Sequence, residues 1–300
     1  MPTLGLSKAG LEQLHEVMAG HVSAGRVPGL VLALSRGGDV YTDAIGTAAV
    51  GGSQPLRRDA IFRITSMTRP VTAVATLLLV QDGRLAFDEP VDRLLPELAG
   101  RRVLRRTDGP LDDTVAADRP VTTADLLTFR SGFGMILAPP SEYPILEAEQ
   151  ALELRSVGPP TPVTPHGPDE WLRRMGTLPL MDQPGGQWRY NTSSQILGVL
   201  IARAAGQPVE SFYNERIFGP LGMTGTGFRC RRASCTGSCR ATRRPPGDWC
   251  PTTTTGSGRA RACSPTAGPA WSPPSATTWF SGRCCWPAAR TAARASWRPS

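Results

Sequence analysis

Ser66 and Arg69 lie three residues apart at the start of an apolar segment, in the run Ser66-Met67-Thr68-Arg69-Pro70. Residues at i and i+3 share one face of a helix, so the hydroxyl and the guanidinium project into the same space. A serine at a helix N-terminus also lies among unpaired N–H groups at the positive end of the helix dipole, which favours an oxyanion beside it. The spacing alone is equally typical of an N-cap serine beside a solvated arginine, and that structural interpretation is the commoner one.

A second candidate for chemistry is Tyr190, which follows a Gly-Gly turn and precedes a strongly apolar segment. A tyrosine in this place can present its hydroxyl to a cleft, and it becomes a useful base where a nearby cation favours the phenolate. The alternative interpretation is a half-buried packing residue whose hydroxyl is hydrated. The residue types alone leave both interpretations open.

The elements that position these residues follow from hydrophobic periodicity. Ser7 is a predicted N-cap of a helix with one apolar face. Residues 30–34 and 40–46 flank a turn at Gly37-Gly38 and predict a β-hairpin. Further helices are predicted for residues 66–81 and 193–205, and two more begin at Thr123 and Asp169. Residues 101–120 are predicted to form a polar, turn-rich surface excursion. Residues 138–168 are predicted to form a long loop around a short helix.

The composition changes sharply after Arg229. Residues 230–300 contain all seven cysteines and no Leu, Ile, Val or Met, and they carry eleven arginines against one acid, Asp248. The formal charge of +8 for the whole chain therefore comes from this segment. Because the basic residues are confined to it, overall basicity does not predict nucleic-acid binding, and we expect no nucleic-acid partner.

Residues 230–300 are interpreted as a low-complexity, disordered tail. Without branched aliphatic residues, a segment of this length buries too little apolar surface to offset the entropy of ordering it. The chain has 33 Lys and Arg residues, of which only Lys8 is lysine, as expected of a GC-rich gene. We therefore hypothesise that the tail is the frameshifted translation of such a gene, with the shift close to Arg229.

The sequence gives little support to a metal, a cofactor or a membrane. Cys235-x3-Cys239 is a weak zinc signal because residues 230–300 contain no histidine, so neither a metal nor a cofactor is predicted. The first residues lack the basic-then-apolar layout of a signal peptide, and the longest apolar run, residues 71–80, is half a membrane span. A cytoplasmic protein without a membrane partner is expected, and the oligomeric state is left open.

Five stretches resemble, in order, the motifs of the serine β-lactamase-related hydrolases: class C β-lactamases, penicillin-binding-protein-like carboxypeptidases and family VIII esterases. The resemblance covers residues 7–228 and implies an α/β fold of the β-lactamase/transpeptidase type, with an antiparallel sheet flanked by helices and a helical subdomain. The stretches are FRITSMTRPVT (62–72), DGRLAFDEPV (82–91), TTADLLT (122–128) before Ser131-Gly132, WRYN (188–191) and PLGMTGTGF (220–228).

The resemblance also implies roles for individual residues. Ser66 corresponds to the acylated nucleophile, and Tyr190 corresponds to the base that takes its proton and later activates water. Asn191, Thr192 and Trp188 fall where the substrate is bound. The implied activity is hydrolysis of a small-molecule ester or amide through an acyl-enzyme, within a hydrolase domain at residues 1–229. An esterase is favoured over a β-lactamase, since β-lactamases are normally exported.

Three departures from the family pattern bear on that activity. Arg69 replaces the lysine of the Ser-x-x-Lys motif, and an arginine stays charged and cannot share a proton with the tyrosine. Thr192 stands where the Tyr-x-Asn motif has its asparagine. The third motif, on a sheet strand that also supplies an oxyanion-hole N–H, has no counterpart, so an incomplete sheet is expected. The alternative is therefore a catalytically impaired, truncated relic without turnover.

Overall fold

The computed structural model describes residues 7–154, 165–228 and 281–283. Most of the predicted tail, residues 230–300, lies outside this part of the chain, as does the predicted frameshift. The helices are α1 (Lys8–Ser23), α2 (Thr68–Gln81), α3 (Thr123–Leu127), α4 (Pro144–Ala151), α5 (Pro168–Gly176), α6 (Thr192–Ala205) and α7 (Val209–Tyr213). The strands are β1 (Gly29–Arg36), β2 (Asp39–Gly46), β3 (Ile61–Arg63), β4 (Arg102–Leu104), β5 (Thr114–Ala116) and β6 (Ser281–Arg283).

The chain forms two compact units, and the first contains residues 1–63 and parts of the C-terminal segment. Ser7 caps α1, its hydroxyl accepting a hydrogen bond from the Gly10 N–H, as predicted. β1 and β2 form the predicted antiparallel hairpin, and Gly37 and Gly38 both have positive φ at its turn. Two successive residues with positive φ give the turn a twist that matches the strands. β3 pairs antiparallel with β6.

The second unit contains residues 64–220 and is organised around α6. This helix packs against α2, α3, α5 and α7, and nearly every residue of its first three turns is buried. Full burial of a leucine or isoleucine contributes about 1.5–3 kcal/mol, so the fully buried Leu200 and Ile201 each contribute to the stability of this core. Gly206 ends the helix in the left-handed conformation. Both candidate catalytic stretches belong to this unit.

Residues 101–120 are turn-rich and largely at the surface, as predicted, but the segment also contains regular structure. β4 and β5 form an antiparallel pair there, and Val103 and Leu104 are buried. Leu104 also donates its N–H to the Leu180 carbonyl. Strands of three residues are too short for hydrophobic alternation to reveal them, and only their pairing defines them.

The described residues contain three separate two-stranded antiparallel sheets, β1–β2, β3–β6 and β4–β5. Together with the helical second unit they fit the predicted class of antiparallel sheet and helical subdomain. Within the part of the chain that the structure describes, no helix is long and apolar enough to cross a membrane.

Candidate active site

Ser66 lies on a single 3-10 turn, Thr65–Met67, directly before α2. Thr65 has a φ of 45°, which is strained for a β-branched residue, and such strain concentrates at functional sites. The N-cap of α2 is Met67, and no side chain caps the helix. The interpretation of Ser66 as an N-cap is therefore wrong: its exposed hydroxyl is presented at the surface of the unit instead.

Tyr190 is held by a neighbouring loop through its backbone. The Met135 N–H donates to the Tyr190 carbonyl over 2.8 Å. The loop reaches this position only because residue 134 is glycine: a Cβ there would lie 2.5 Å from Arg189 Cβ and 2.8 Å from the Tyr190 carbonyl oxygen. The sequence analysis did not identify Gly134 as part of the site, although the glycines after Ser131 were a signal of close backbone approach.

Aromatic contacts fix the ring of Tyr190. Phe129 stacks on it with the ring centroids 6.1 Å apart and the planes 14° from parallel. The Trp188 ring lies 5.9 Å from it on centroids and is itself 61% exposed. Phe129, which the sequence analysis also missed, has a φ of 60°. These contacts restrict rotation of the phenol and so define where its hydroxyl points.

The hydroxyl of Tyr190 connects the two candidate stretches. It donates a hydrogen bond of 2.9 Å to Ser66 Oγ and accepts one of 2.6 Å from Arg69 Nη1. The guanidinium carbon of Arg69 lies 4.2 Å from the ring centroid, within the range of a cation–π contact. Nucleophile, phenol and cation therefore form one continuous chain of hydrogen bonds, and the phenol oxygen lies close enough to Ser66 Oγ for a proton to pass between them.

Arg69 uses its second amino group on Asn191. Nη2 donates to Asn191 Oδ1, while Nε is buried without a hydrogen-bond partner. Burial lowers the pKa of the Arg69 guanidinium, and the contact with Tyr190 works in the opposite direction. Arginine nevertheless remains a cation at any working pH. Through these two hydrogen bonds the positive charge of Arg69 lies beside both the phenol oxygen of Tyr190 and the amide oxygen of Asn191.

Asn191 has φ 87° and ψ −68°, the strained conformation of a classic γ-turn. The structure thus brings together four of the six predicted site residues: Ser66, Arg69, Tyr190 and Asn191. Thr192 is buried at the start of α6 and lines a cavity that Asn191 also borders. Trp188 touches the site through the Tyr190 ring. Among the described residues, no group of three or more His, Cys, Asp or Glu side chains is arranged to hold a metal ion.

Comparison with known proteins gives matches at several levels. A family model described as Beta-lactamase matches residues 14–289. Protein Rv1367c of Mycobacterium tuberculosis is 39% identical over 191 residues, which are 63% of this chain and 44% of the relative. Esterase EstB of Burkholderia gladioli is 35% identical over 206 residues, 68% of this chain and 47% of the relative. The chain spans about half the length of these curated relatives.

Among solved structures, EstCE1, described as a hydrolase with promiscuous acyltransferase activity, matches with a TM-score of 0.68 at 22% identity. The match covers 91% of this chain and 69% of that one. The predicted β-lactamase/transpeptidase-like fold is confirmed. Because the family model matches well over half of its residues, the chain belongs to the beta-lactamase family.

Proposed function

We propose that the chain is a serine hydrolase that cleaves small-molecule esters through an acyl-enzyme on Ser66. The observation that carries the proposal is the hydrogen-bonded series from Arg69 Nη1 to the Tyr190 hydroxyl to Ser66 Oγ. Each member has a chemical role in acyl transfer: Arg69 is the cation, Tyr190 the proton acceptor and Ser66 the nucleophile. Asn191, Thr192 and Trp188 border this series and are proposed to contact the substrate.

In acylation, the phenolate form of Tyr190 accepts the proton of Ser66 while Oγ bonds to the acyl carbon of the ester. Arg69 stabilises the phenolate, because its positively charged guanidinium donates a hydrogen bond to the phenol oxygen. The bond from the acyl carbon to the leaving oxygen then breaks. Tyr190 gives the proton to that oxygen, so an alcohol departs and the phenolate is restored.

In deacylation, the same groups act on water. The Tyr190 phenolate takes a proton from a water molecule as the water oxygen bonds to the acyl carbon. The bond to Ser66 Oγ breaks, Tyr190 returns the proton to Oγ, and the free acid leaves. The number of protons balances over the cycle, and Arg69 keeps its charge throughout.

Arg69 favours an ester over an amide as substrate. An amide nitrogen must be protonated before it leaves, whereas an alkoxide, above all an aryl oxide, departs with less help from an acid. Arginine gives up no proton at working pH, so Tyr190 is the proposed proton donor to the leaving group among the described residues of the site. The esterase EstB among the relatives supports the same preference.

A second candidate is an impaired relic that acylates without turnover or does neither. It is favoured by Arg69, which stands where the resembled family has a lysine. We also propose, as a separate hypothesis, that residues 230–300 arose by a frameshift. Sequencing the gene around codon 229 for an inserted or missing base tests that origin.

Labelling by a fluorophosphonate probe tests the proposed function. We expect the probe to modify Ser66 of the full chain, with the modified peptide identified by mass spectrometry, and Ser66→Ala to abolish labelling. The exposed Ser53 provides a matched control, since Ser53→Ala should label like the parent. Labelling that persists in Ser66→Ala would show that the nucleophile lies elsewhere. Labelling without ester turnover would favour the relic.

A further inference from the structure

A cavity of about 70 Å³ adjoins the candidate site in the second unit. Asn191 belongs to both: its Oδ1 accepts from Arg69, and the residue also lines the cavity. Met135 provides a second link, because its N–H holds the Tyr190 carbonyl while the residue lines the cavity and is partly exposed. The cavity therefore shares the wall residue Asn191 with the candidate site, and Met135 connects its wall to the backbone of Tyr190.

The lining of the cavity has a polar side and an apolar side. Glu149 of α4 and Gln195 of α6 contribute a carboxylate and an amide, and each residue is only 7% exposed. Phe133, Trp171 and Met175 supply apolar walls and are almost completely buried. A pocket that combines apolar walls with a few buried polar groups is typical of small-molecule sites.

Glu149 lies on the buried face of α4, beside Ile145 and Leu146. A carboxylate is expensive to bury, so its place on this face indicates a purpose that an apolar residue would not serve. Glu149 and Gln195 both already interact within the chain. Each oxygen of a carboxyl group can accept more than one hydrogen bond, so a ligand donor can be added to those interactions.

The size of the cavity limits what it holds. One water needs about 10–15 Å³ of such space, so the cavity has room for about five water-sized groups. The part of a 3-hydroxybutanoyl group beyond its carbonyl has three carbons and one oxygen, which fits. An octanoyl chain is too long.

We propose that this cavity is the acyl pocket of the enzyme and that it selects short acyl chains bearing a hydroxyl group, which donates to Glu149. The inference rests on the proposed function, since it places the acyl group of the Ser66 ester in the cavity.

A hydroxyl matches the polar lining better than an ammonium does. The lining contains donors as well as acceptors, in the Thr192 hydroxyl and the Gln195 amide. A hydroxyl both donates and accepts, whereas an ammonium only donates and costs more to remove from water. Hydroxyacyl esters should therefore be preferred over aminoacyl esters of the same length.

Esters of p-nitrophenol with different acyl groups test the proposal on the full chain. We expect kcat/KM to rise from acetate to butanoate and to fall at octanoate. The 3-hydroxybutanoate ester should exceed the butanoate ester about tenfold or more, because a site that hydrogen-bonds a substrate hydroxyl through a buried polar group discriminates against an analogue that lacks the hydroxyl. Equal rates for the two four-carbon esters, or a higher rate for the 3-aminobutanoate ester, would overturn the proposal.

Glu149→Gln isolates the carboxylate, and the readout is the ratio of kcat/KM for the hydroxybutanoate and butanoate esters within each protein. We expect the variant to lose most of this ratio. Glu147→Gln is the matched control, because Glu147 is exposed on the same helix, and its ratio should equal that of the parent. A parental ratio in Glu149→Gln would overturn the role of Glu149. If the variant does not fold, the acyl series on the parent decides.

The two proposals fail in different ways. Absence of hydrolysis of every ester, together with absence of Ser66 labelling, would refute the proposed function and the acyl pocket with it. Hydrolysis of the acetate ester at Ser66 without any hydroxyl or length preference would refute the acyl pocket alone.

Discussion

Arg69 Nη1 lies 2.6 Å from the hydroxyl oxygen of Tyr190, although 121 positions separate the two residues in the chain. The contact places the permanent positive charge of Arg69 beside the Tyr190 hydroxyl, the group proposed to carry protons between Ser66 and the substrate. It also distinguishes two roles for Arg69: support of charge on the phenol, which arginine performs well, and exchange of a proton, which it does not perform.

Arg69→Lys tests whether the missing proton exchange limits the reaction. We expect the variant to raise kcat/KM for p-nitrophenyl acetate, because lysine keeps a positive charge and adds a group that exchanges protons. Acid–base help of this kind contributes about 10²–10⁴-fold, so even partial recovery is measurable. Arg69→Ala should lower the rate, since it removes the charge beside Tyr190. If kcat/KM of Arg69→Lys is at or below that of the parent, the role of Arg69 is structural: its guanidinium holds its neighbours by hydrogen bonds.

Asn191→Gly tests two effects of Asn191 separately: the backbone strain at the turn before α6 and the contribution of its amide to ester hydrolysis. Glycine adopts positive φ without strain, and the Asn191 side chain does not cap the helix, so relief of strain should offset the lost contact with Arg69 and leave the stability close to that of the parent. It loses the amide that accepts from Arg69, and we expect kcat/KM to fall about tenfold. Thermal unfolding and ester hydrolysis measured on one preparation check both effects. A variant that loses stability and keeps full activity would contradict this account.

Gly134→Ala tests the loop that positions Tyr190. The added Cβ would lie 2.5 Å from Arg189 Cβ and 2.8 Å from a backbone oxygen, so the loop or Tyr190 must move. We expect about 1–3 kcal/mol of lost stability, as for an overpacked site, and a lower kcat with it. Gly20→Ala is the control: a Cβ there meets no atom within 4 Å, and alanine favours a helix. Activity that survives in Gly134→Ala would show that the loop does not position the phenol.

Asp125 links acid stability to the segment that carries Phe129. Burial opposes its ionisation, but hydrogen bonds from Arg119 and Thr122 outweigh burial and lower the pKa of Asp125. A folded-state pKa below the unfolded value of about 3.9 gives stability that is present above that value and is lost as pH falls through the folded pKa.

Asp125→Asn should therefore reduce the free energy of unfolding at neutral pH by about 1–2 kcal/mol, through loss of the capping box and the ion pair. The difference from the parent should shrink below about pH 4. Urea unfolding at several pH values measures both quantities, and Asp112→Asn, at an exposed position, is the control. A difference that stays constant down to pH 2 would refute this account of Asp125.

The sequence predicts the parts of the fold that local patterns determine. The β1–β2 hairpin follows from two extended runs around Gly37-Gly38, and α6 follows from a long apolar segment, because both depend on contacts close in the chain. The pair β4–β5 escapes prediction because its strands are short and are defined by partners such as Leu180.

For the candidate site, residue types and motif order identify Ser66, Arg69 and Tyr190, and the structure brings them together. The positive φ values of Thr65 and Asn191 are not predictable from the residues, since neither is glycine. They arise where the fold forces the backbone into a strained turn, and tertiary contacts maintain that turn.

The central claim is that Ser66 becomes acylated with the help of Tyr190, and mass spectrometry of the rapidly quenched reaction tests it most directly. After mixing the full chain with p-nitrophenyl acetate, we expect one acetyl group on the peptide that contains Ser66. We expect no acetyl group on that peptide in Ser66→Ala. In Tyr190→Phe the acetyl group should appear much more slowly, because this variant lacks the hydroxyl that is hydrogen-bonded to Ser66 Oγ. Hydrolysis that continues with the acetyl group on another residue, or at the parental rate in Tyr190→Phe, would contradict the account.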